Sequence, residues 1–297
     1  MSAPSRATRA GRAYLDLRKL ARENQRPVDE LLQLYVLEAF LDRLTSSRFA
    51  EQLVLKGGVL LAAFEERRAT RDIDLQAQAV ESDVEAVRAM ACEIAAIAID
   101  DGVMFDIETA TAEQIRDEEI YAGVRVTMNA RLASARQHFH IDVNVGDPIS
   151  PTPKHVRLPR LLGGEVFLRG YPLAMVHAEK VVTAIARGTV NTRWRDFADI
   201  YMLARRHAID GTELVRSARR VSEHRQVQLV PLSGVLDGYG QIGQQRWAGW
   251  CRRQRLEDRL PEQFGDVVAA VIDFADPAIV GAAKGRSWDP TVGVWSA

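Results

Sequence analysis

The chain has 297 residues, 47% hydrophobic and 27% charged, with a formal net charge of −1, the balance of an ordinary globular protein long enough for two lobes of about 100–200 residues each. No apolar run approaches the ~20 residues of a membrane span, and the N-terminus, Met1-Ser2-Ala3-Pro4-Ser5-Arg6, has no signal-peptide core, so a cytoplasmic protein without membrane partners is expected. The two cysteines, Cys92 and Cys251, match no zinc spacing and exclude a disulfide framework.

Residues 11–48 read as helical, with a break at Asn24–Glu30. Leu31, Leu32, Tyr35, Val36, Leu37, Phe40 and Leu41 then recur near helical spacing. Leu53-Val54-Leu55 is a short strand that enters a turn at Gly57-Gly58, and a helix through Leu60, Leu61 and Phe64 is predicted to follow. The chain returns as a strand over Asp72–Gln76, in the stretch Arg68-Ala69-Thr70-Arg71-Asp72-Ile73-Asp74-Leu75. Successive side chains of a strand point to opposite faces, so Asp72 and Asp74 emerge on one side while Ile73 and Leu75 enter a core. Two carboxylates side by side repel each other unless a cation sits between them. Mg2+ takes oxygen ligands and commonly uses one or two carboxylates plus substrate phosphates, so the couplet reads as a metal site for phosphate chemistry.

An Ala-rich helix is predicted over Asp83–Asp100, followed by strands at Val103–Thr109, Gly123–Ala130 and His138–Val145, the last two joined by a hairpin loop at Arg131–Gln137. In the last strand Ile141, Val143 and Val145 share one face, with His140, Asp142 and Asn144 on the other. Asp142 could stand beside the couplet as a third carboxylate; an exposed strand aspartate is the alternative. Pro148, Pro151, Pro153 and Pro159 mark a linker or crossing segment, Gly163-Gly164 a turn. Beyond Pro172 the chain reads as mainly helical to about residue 275, with an irregular tail over Gly281–Ala297.

Charge is unevenly distributed. Asp72–Glu119 holds fourteen acids against two bases, and Pro151–Arg225 fourteen Lys/Arg against seven acids. That asymmetry suits a metal-dependent enzyme with a polyanionic substrate, although charged helices facing water give the same pattern. In the helix Ala174–Arg187, Lys180 falls opposite the apolar stripe of Ala174, Ala178, Val181, Val182 and Ile185. The next helix opens with Arg195-Asp196-Phe197-Ala198-Asp199, whose two acids are surface neighbours three residues apart. Lys180 and Asp199 are read as the far wall of a nucleotide cleft, with the lysine as a point charge on triphosphate oxygens. An interhelical salt bridge is the structural alternative.

Together these residues resemble the AbiEii family of nucleotidyltransferase-like toxins of type IV toxin–antitoxin pairs, which includes the mycobacterial MenT toxins. The likeness is carried by Lys56-Gly57-Gly58, by Arg68-Ala69-Thr70-Arg71-Asp72-Ile73-Asp74, by Glu179-Lys180 and by Arg195-Asp196-Phe197-Ala198-Asp199. It runs from roughly residue 30 to 210. The wider superfamily has Gly-Ser where this chain has Gly57-Gly58; Thr70 could supply the missing hydroxyl.

The resemblance implies an α+β fold: a nucleotidyltransferase-like mixed β-sheet with flanking helices, plus a mainly helical C-terminal lobe. The expected divisions are residues 1–48, 49–150 and 151–297. Asp72, Asp74, Lys180 and Asp199 are the expected catalytic residues. Lys56, Gly57, Gly58, Thr70, Arg71 and Asp196 are expected to bind nucleotide, and Asp72, Asp74 and Asp142 to hold Mg2+ or Mn2+. The implied reaction moves a nucleoside monophosphate from an NTP to RNA, with the 3′ end of tRNA as acceptor and a block of translation as the result; a cognate antitoxin is the implied partner. A phosphotransferase using the γ-phosphate and a non-catalytic nucleotide- or RNA-binding regulator remain alternatives. No motif is legible after about residue 220.

Overall fold

A computed structural model describes residues 4–78, 83–115, 123–146 and 148–297. Of the acidic stretch, Glu81, Arg116, Asp117, Glu118 and Glu119 lie outside these residues. The chain divides into two compact units, residues 1–146 with 154–170, and residues 147–153 with 171–297.

The first unit begins with two helices, α1 (Arg9–Glu23) and α2 (Val28–Thr45), separated where the break was expected. Thr8 caps α1 by accepting from the Gly11 N–H. From Leu31 to Leu41 every residue of α2 is buried, Gln33 and Glu38 among them, so it is a central helix enclosed around its circumference. A short strand, β1 (Leu53–Lys56), leads into α3 (Gly57–Leu60), which continues as one 3-10 turn to Phe64. The helix expected there is therefore two short turns. Glu65, in the left-handed conformation at φ 60°, ends them.

The chain comes back as β2 (Asp72–Ala77) and crosses through α4 (Val84–Ala95), which stops five residues short of the expected end. Three antiparallel-linked strands follow: β3 (Val103–Ile115), β4 (Gly123–Leu132) and β5 (Ala135–Val145). The β4–β5 turn is tighter than predicted. The ladder runs to Leu132↔Ala135, and Ala133 makes the reversal at φ 52°. The hairpin β6 (Lys154–Pro159) and β7 (Glu165–Gly170) completes a seven-stranded sheet in the order β3-β4-β5-β2-β1-β7-β6. Pairing is parallel at β5–β2 and at β1–β7 and antiparallel elsewhere, so the sheet is mixed, as expected.

This hairpin corrects the expected boundary at residue 150. Residues 154–170 pair back onto β1, because only Leu53–Lys56 remained open as an edge on that side, and a sheet edge recruits a strand. Likewise residues 1–48 belong to the same unit as the sheet. The core of this unit lies between α2 and the apolar sheet face, where Phe40 meets Phe105 and Phe139 edge-on at 6.0 and 6.1 Å between centroids.

The second unit holds α5 (Leu173–Arg187), α6 (Trp194–Ala204), the two-residue strand β8 (Ile209–Asp210), α7 (Gly211–Arg225), α8 (Leu232–Val235), α9 (Tyr239–Gln254) and α10 (Phe264–Ile279). Its tail is more ordered than expected: β9 (Ser287–Asp289) and β10 (Val294–Ser296) form a small sheet in the order β10-β9-β8. Aromatic residues explain this order, since Trp288 and Trp295 both pack on Phe274 at 5.0 and 5.7 Å. Their indole N–H groups donate to the Ala204 and Phe274 carbonyls, and large rings packed together with their polar atoms satisfied stabilise an otherwise short strand pair. A second ring cluster of Trp194, Phe197, Tyr239, Trp247 and Phe264 joins α6, α9 and α10. No helix among the described residues is long and apolar enough to cross a membrane.

Candidate active site

The predicted site residues form two clusters, one in each unit. In the first, strand pairing sets the geometry. Lys56 stands opposite Asp74 in the antiparallel β1–β2 ladder, while on the other side Asp72 pairs with His140 and Asp74 with Asp142 in the parallel β2–β5 ladder. Residues in register share a face, so Lys56, Asp72, Asp74, His140 and Asp142 lie on one side of the sheet. Ile73, Leu75, Ile141 and Val143 are buried on the other.

The turn after β1 presses against this face. Gly57 has φ +68°, and a Cβ added there would overlap the Asp74 carboxylate and come within 2.7 Å of its Cβ. Glycine is required twice over, by the left-handed backbone and by the closeness of the acid. At Gly58 a Cβ would stand 2.9 Å from Thr70 Oγ1 and 3.2 Å from Arg68 Nη1. The Thr70 hydroxyl thus occupies the neighbourhood that a serine side chain at position 58 would enter. Arg71 is exposed, and its carbonyl accepts from Gln33 Nε2 at 3.4 Å. The loop that carries these residues is held from behind by Glu38, buried in α2. Glu38 accepts from Arg67 and from the Leu161 N–H; burial pushes its carboxyl up despite the Arg67 charge.

Asp142 is already occupied. Arg125 of β4 forms a two-pronged pair with it, Nε to Oδ1 at 2.8 Å and Nη2 to Oδ2 at 2.7 Å, the strong fork geometry of guanidinium and carboxylate. The hydrogen bond to Asp142 holds the Arg125 pKa above its ordinary value, with the charges of Asp142 and Asp72 adding to it. Among the described residues no group of three or more His, Cys, Asp or Glu is arranged to hold a metal, in keeping with an Asp142 whose two oxygens are both engaged. Asp72 and Asp74 are two carboxylates on one strand face, with glycine backbone packed against Asp74, and their oxygens are of the type that a divalent ion shared with substrate phosphates takes. Arg125 was missed in the sequence, and His140 was placed on the Asp142 face without being read as its neighbour in the site. The signal was available as alternation, since Arg125 and Thr127 fall on the face of β4 that looks toward Asp142 and His140, and Thr127 Oγ1 lies 3.0 Å from His140 Nδ1.

In the second unit, Lys180 projects from α5 between the two acids of α6. Its Nζ donates to Asp196 Oδ1 at 2.7 Å and to Asp199 Oδ2 at 2.9 Å, and its side chain is only 13% exposed, that of Asp199 fully buried. The salt bridge read as an alternative in the sequence is therefore present. Burial alone would raise the Asp196 carboxyl, but the Lys180 charge and hydrogen bond, helped by Arg195 and Arg193, hold it below its ordinary value. Neighbouring Glu179 lies 3.5 Å from Arg225 Nη2.

One turn from Lys180, His177 is fully buried, with neither ring nitrogen hydrogen-bonded among the described residues and its ring 4.7 Å from that of Phe274. Desolvation first, then the charges of Lys180 and His207, push its pKa down from 6.5 to about 3. The unfolded chain takes up a proton here as pH falls below 6.5, while the folded chain stays neutral until about 3, so stability is present above 6.5 and lost across that window. At about 1.4 kcal/mol per pH unit, moving from pH 7 to pH 5 should cost wild type about 2 kcal/mol more than His177→Phe in denaturant unfolding. Equal losses in the two proteins would show that the buried imidazole does not titrate in this way.

Residues 39–272 match the family described as nucleotidyl transferase AbiEii toxin, type IV toxin–antitoxin system, and the chain belongs to that family. It is similar in fold to the Helicobacter pylori protein JHP933, with a TM-score of 0.51 at 10% identity, over 86% of this chain and 94% of that one. A further Helicobacter pylori structure, described provisionally as a nucleotidyltransferase, is 11% identical, with a TM-score of 0.48 over 85% of this chain and 97% of that one. No curated protein matches the chain by sequence. Family membership makes the protein a transferase-class toxin with a nucleotide substrate and an antitoxin partner.

Proposed function

We propose that this protein transfers a nucleoside monophosphate from an NTP to an RNA hydroxyl, with the 3′ end of tRNA as the acceptor and arrest of translation as the consequence. The observation that carries the reading is the Gly57 backbone packed on the Asp74 carboxylate, with Asp72 on the same strand face. Asp72 and Asp74 would hold Mg2+ or Mn2+; when bound, such an ion neutralises phosphate charge and aligns the attacking and leaving oxygens. Asp142 would join them by giving up the Arg125 guanidinium.

The remaining roles follow from charge and proximity. Backbone N–H groups of Gly57 and Gly58 would meet phosphate oxygens, and glycine lets the chain come close enough. Because α3 is only four residues long, individual N–H groups matter here more than a helix dipole. Thr70 would add its hydroxyl, Lys56 and Arg71 their charges. Lys180, held by Asp196 and Asp199, would neutralise the triphosphate, the effect being positioning and electrostatics throughout. A cognate antitoxin would oppose this activity in the cytoplasm.

Incubation with tRNA and an NTP labelled at either the α- or the γ-phosphate tests the reading. The α-label should appear in tRNA and the γ-label should leave as pyrophosphate. Transfer of the γ-label instead would make the protein a kinase-like phosphotransferase, and transfer of neither would leave it a binding protein.

A further inference from the structure

The helix α7 carries a basic groove that the nucleotidyl-transfer site does not use. Arg216, Arg219 and Arg220 lie one helical turn apart on its exposed face, and Lys284 from the loop after α10 faces them across a pocket of about 410 Å³. The walls adjoin: Arg219 Nη2 is 3.8 Å from where a Cβ on Gly281 would stand. Among the described residues no ion pair joins any of the four cations to a carboxylate, even though Glu223 lines the same pocket. An arginine three or four residues from an acid on a helix can pair with it; here, among the described residues, three around one concavity form no such pair.

We propose that this groove grips the phosphodiester backbone of the RNA acceptor. Guanidinium groups present planar forks that match phosphate oxygens and are more weakly hydrated than ammonium, so they release water to an anion readily. Arg216 to Arg220 spans about 6 Å along the helix axis, which suits a chain of successive phosphates rather than one isolated anion. A free nucleotide is a poorer fit, because the lining contains no aromatic ring to stack a base. Neutralising backbone phosphates releases counterions and makes affinity fall steeply with salt.

The inference rests on RNA as the acceptor, and the test separates the two. A 5′-labelled tRNA transcript is titrated with wild type and with Arg216→Ala/Arg219→Ala/Arg220→Ala at several salt concentrations, alongside a fluorescent NTP. The triple variant should bind tRNA about tenfold or more weakly at low salt, with a log–log salt slope shallower by about 2, and bind NTP as wild type does. The corresponding triple Arg→Lys variant, which keeps the charges, should retain most of the slope, so a simple folding defect would be recognised. Unchanged tRNA affinity and slope in the alanine variant would overturn the groove while leaving RNA as acceptor. No tRNA binding by wild type would overturn both, and a parallel loss of NTP affinity would reassign the groove to the nucleotide.

Discussion

Gly57→Ala should leave the protein folded and reduce nucleotidyl transfer by about 100-fold or more. The added methyl meets two obstacles. The backbone at φ +68° is left-handed, which costs a non-glycine residue about 1–2 kcal/mol, a loss that a folded domain tolerates. The second is more damaging to function, because the Cβ would overlap the Asp74 carboxylate and stand 2.7 Å from its Cβ, so the turn and β2 must move apart and displace that acid from its place beside Asp72. A displacement of about 1 Å in a reacting group can cost 100-fold in rate. Gly58→Ala is the matched control. Its backbone is not left-handed and its Cβ would meet the Thr70 hydroxyl at 2.9 Å, so a smaller loss is expected. Measuring transfer and thermal unfolding for both separates the effects. Wild-type transfer by Gly57→Ala would mean that Asp74 is not needed where it stands.

Lys180→Ala should be severe in two ways at once, and the two can be separated. The lysine neutralises Asp196 and Asp199, both buried. Removing one partner of a buried pair costs about 3–5 kcal/mol, because it leaves charge uncompensated away from water. Loss of transfer in the single variant would therefore not distinguish a nucleotide-binding lysine from a structural one. Lys180→Met with Asp196→Asn and Asp199→Asn removes all three charges together and should recover most of the stability. Transfer should not recover with it, and the NTP requirement should stay raised. If activity returns along with the melting temperature, Lys180 serves only the α5–α6 junction.

Much of the first cluster was legible because strand alternation is a strong constraint. Asp72-Ile73-Asp74-Leu75 could bury Ile73 and Leu75 only by turning both acids outward, and the structure has that arrangement. What alternation cannot tell is which strand lies alongside. The parallel β2–β5 pairing that puts Asp142 next to Asp74 depends on sheet order, and the capture of Asp142 by Arg125 depends on a third strand again. The helical segment was legible only as two alternatives, a cleft wall or an interhelical salt bridge, and the structure contains the bridge. Lys180 falls opposite the apolar stripe of α5, yet α6 covers it, so helical periodicity identified the polar face without showing that another helix would bury it. The β6–β7 hairpin was hidden because prolines at 151, 153 and 159 read as linker signals, although proline is compatible with an edge strand and with strand ends. The C-terminal strands depend on rings contributed by α10, which no local pattern contains.

The proposed chemistry requires Asp72 and Asp74 together to hold a divalent ion bound to triphosphate. Enhancement of water-proton relaxation by Mn2+ bound to a non-hydrolysable NTP tests it without requiring turnover. Wild type should give a saturable enhancement, and Asp72→Asn/Asp74→Asn should weaken it at least tenfold while unfolding at a similar temperature. The same enhancement in both proteins would mean that the two acids do not hold the ion.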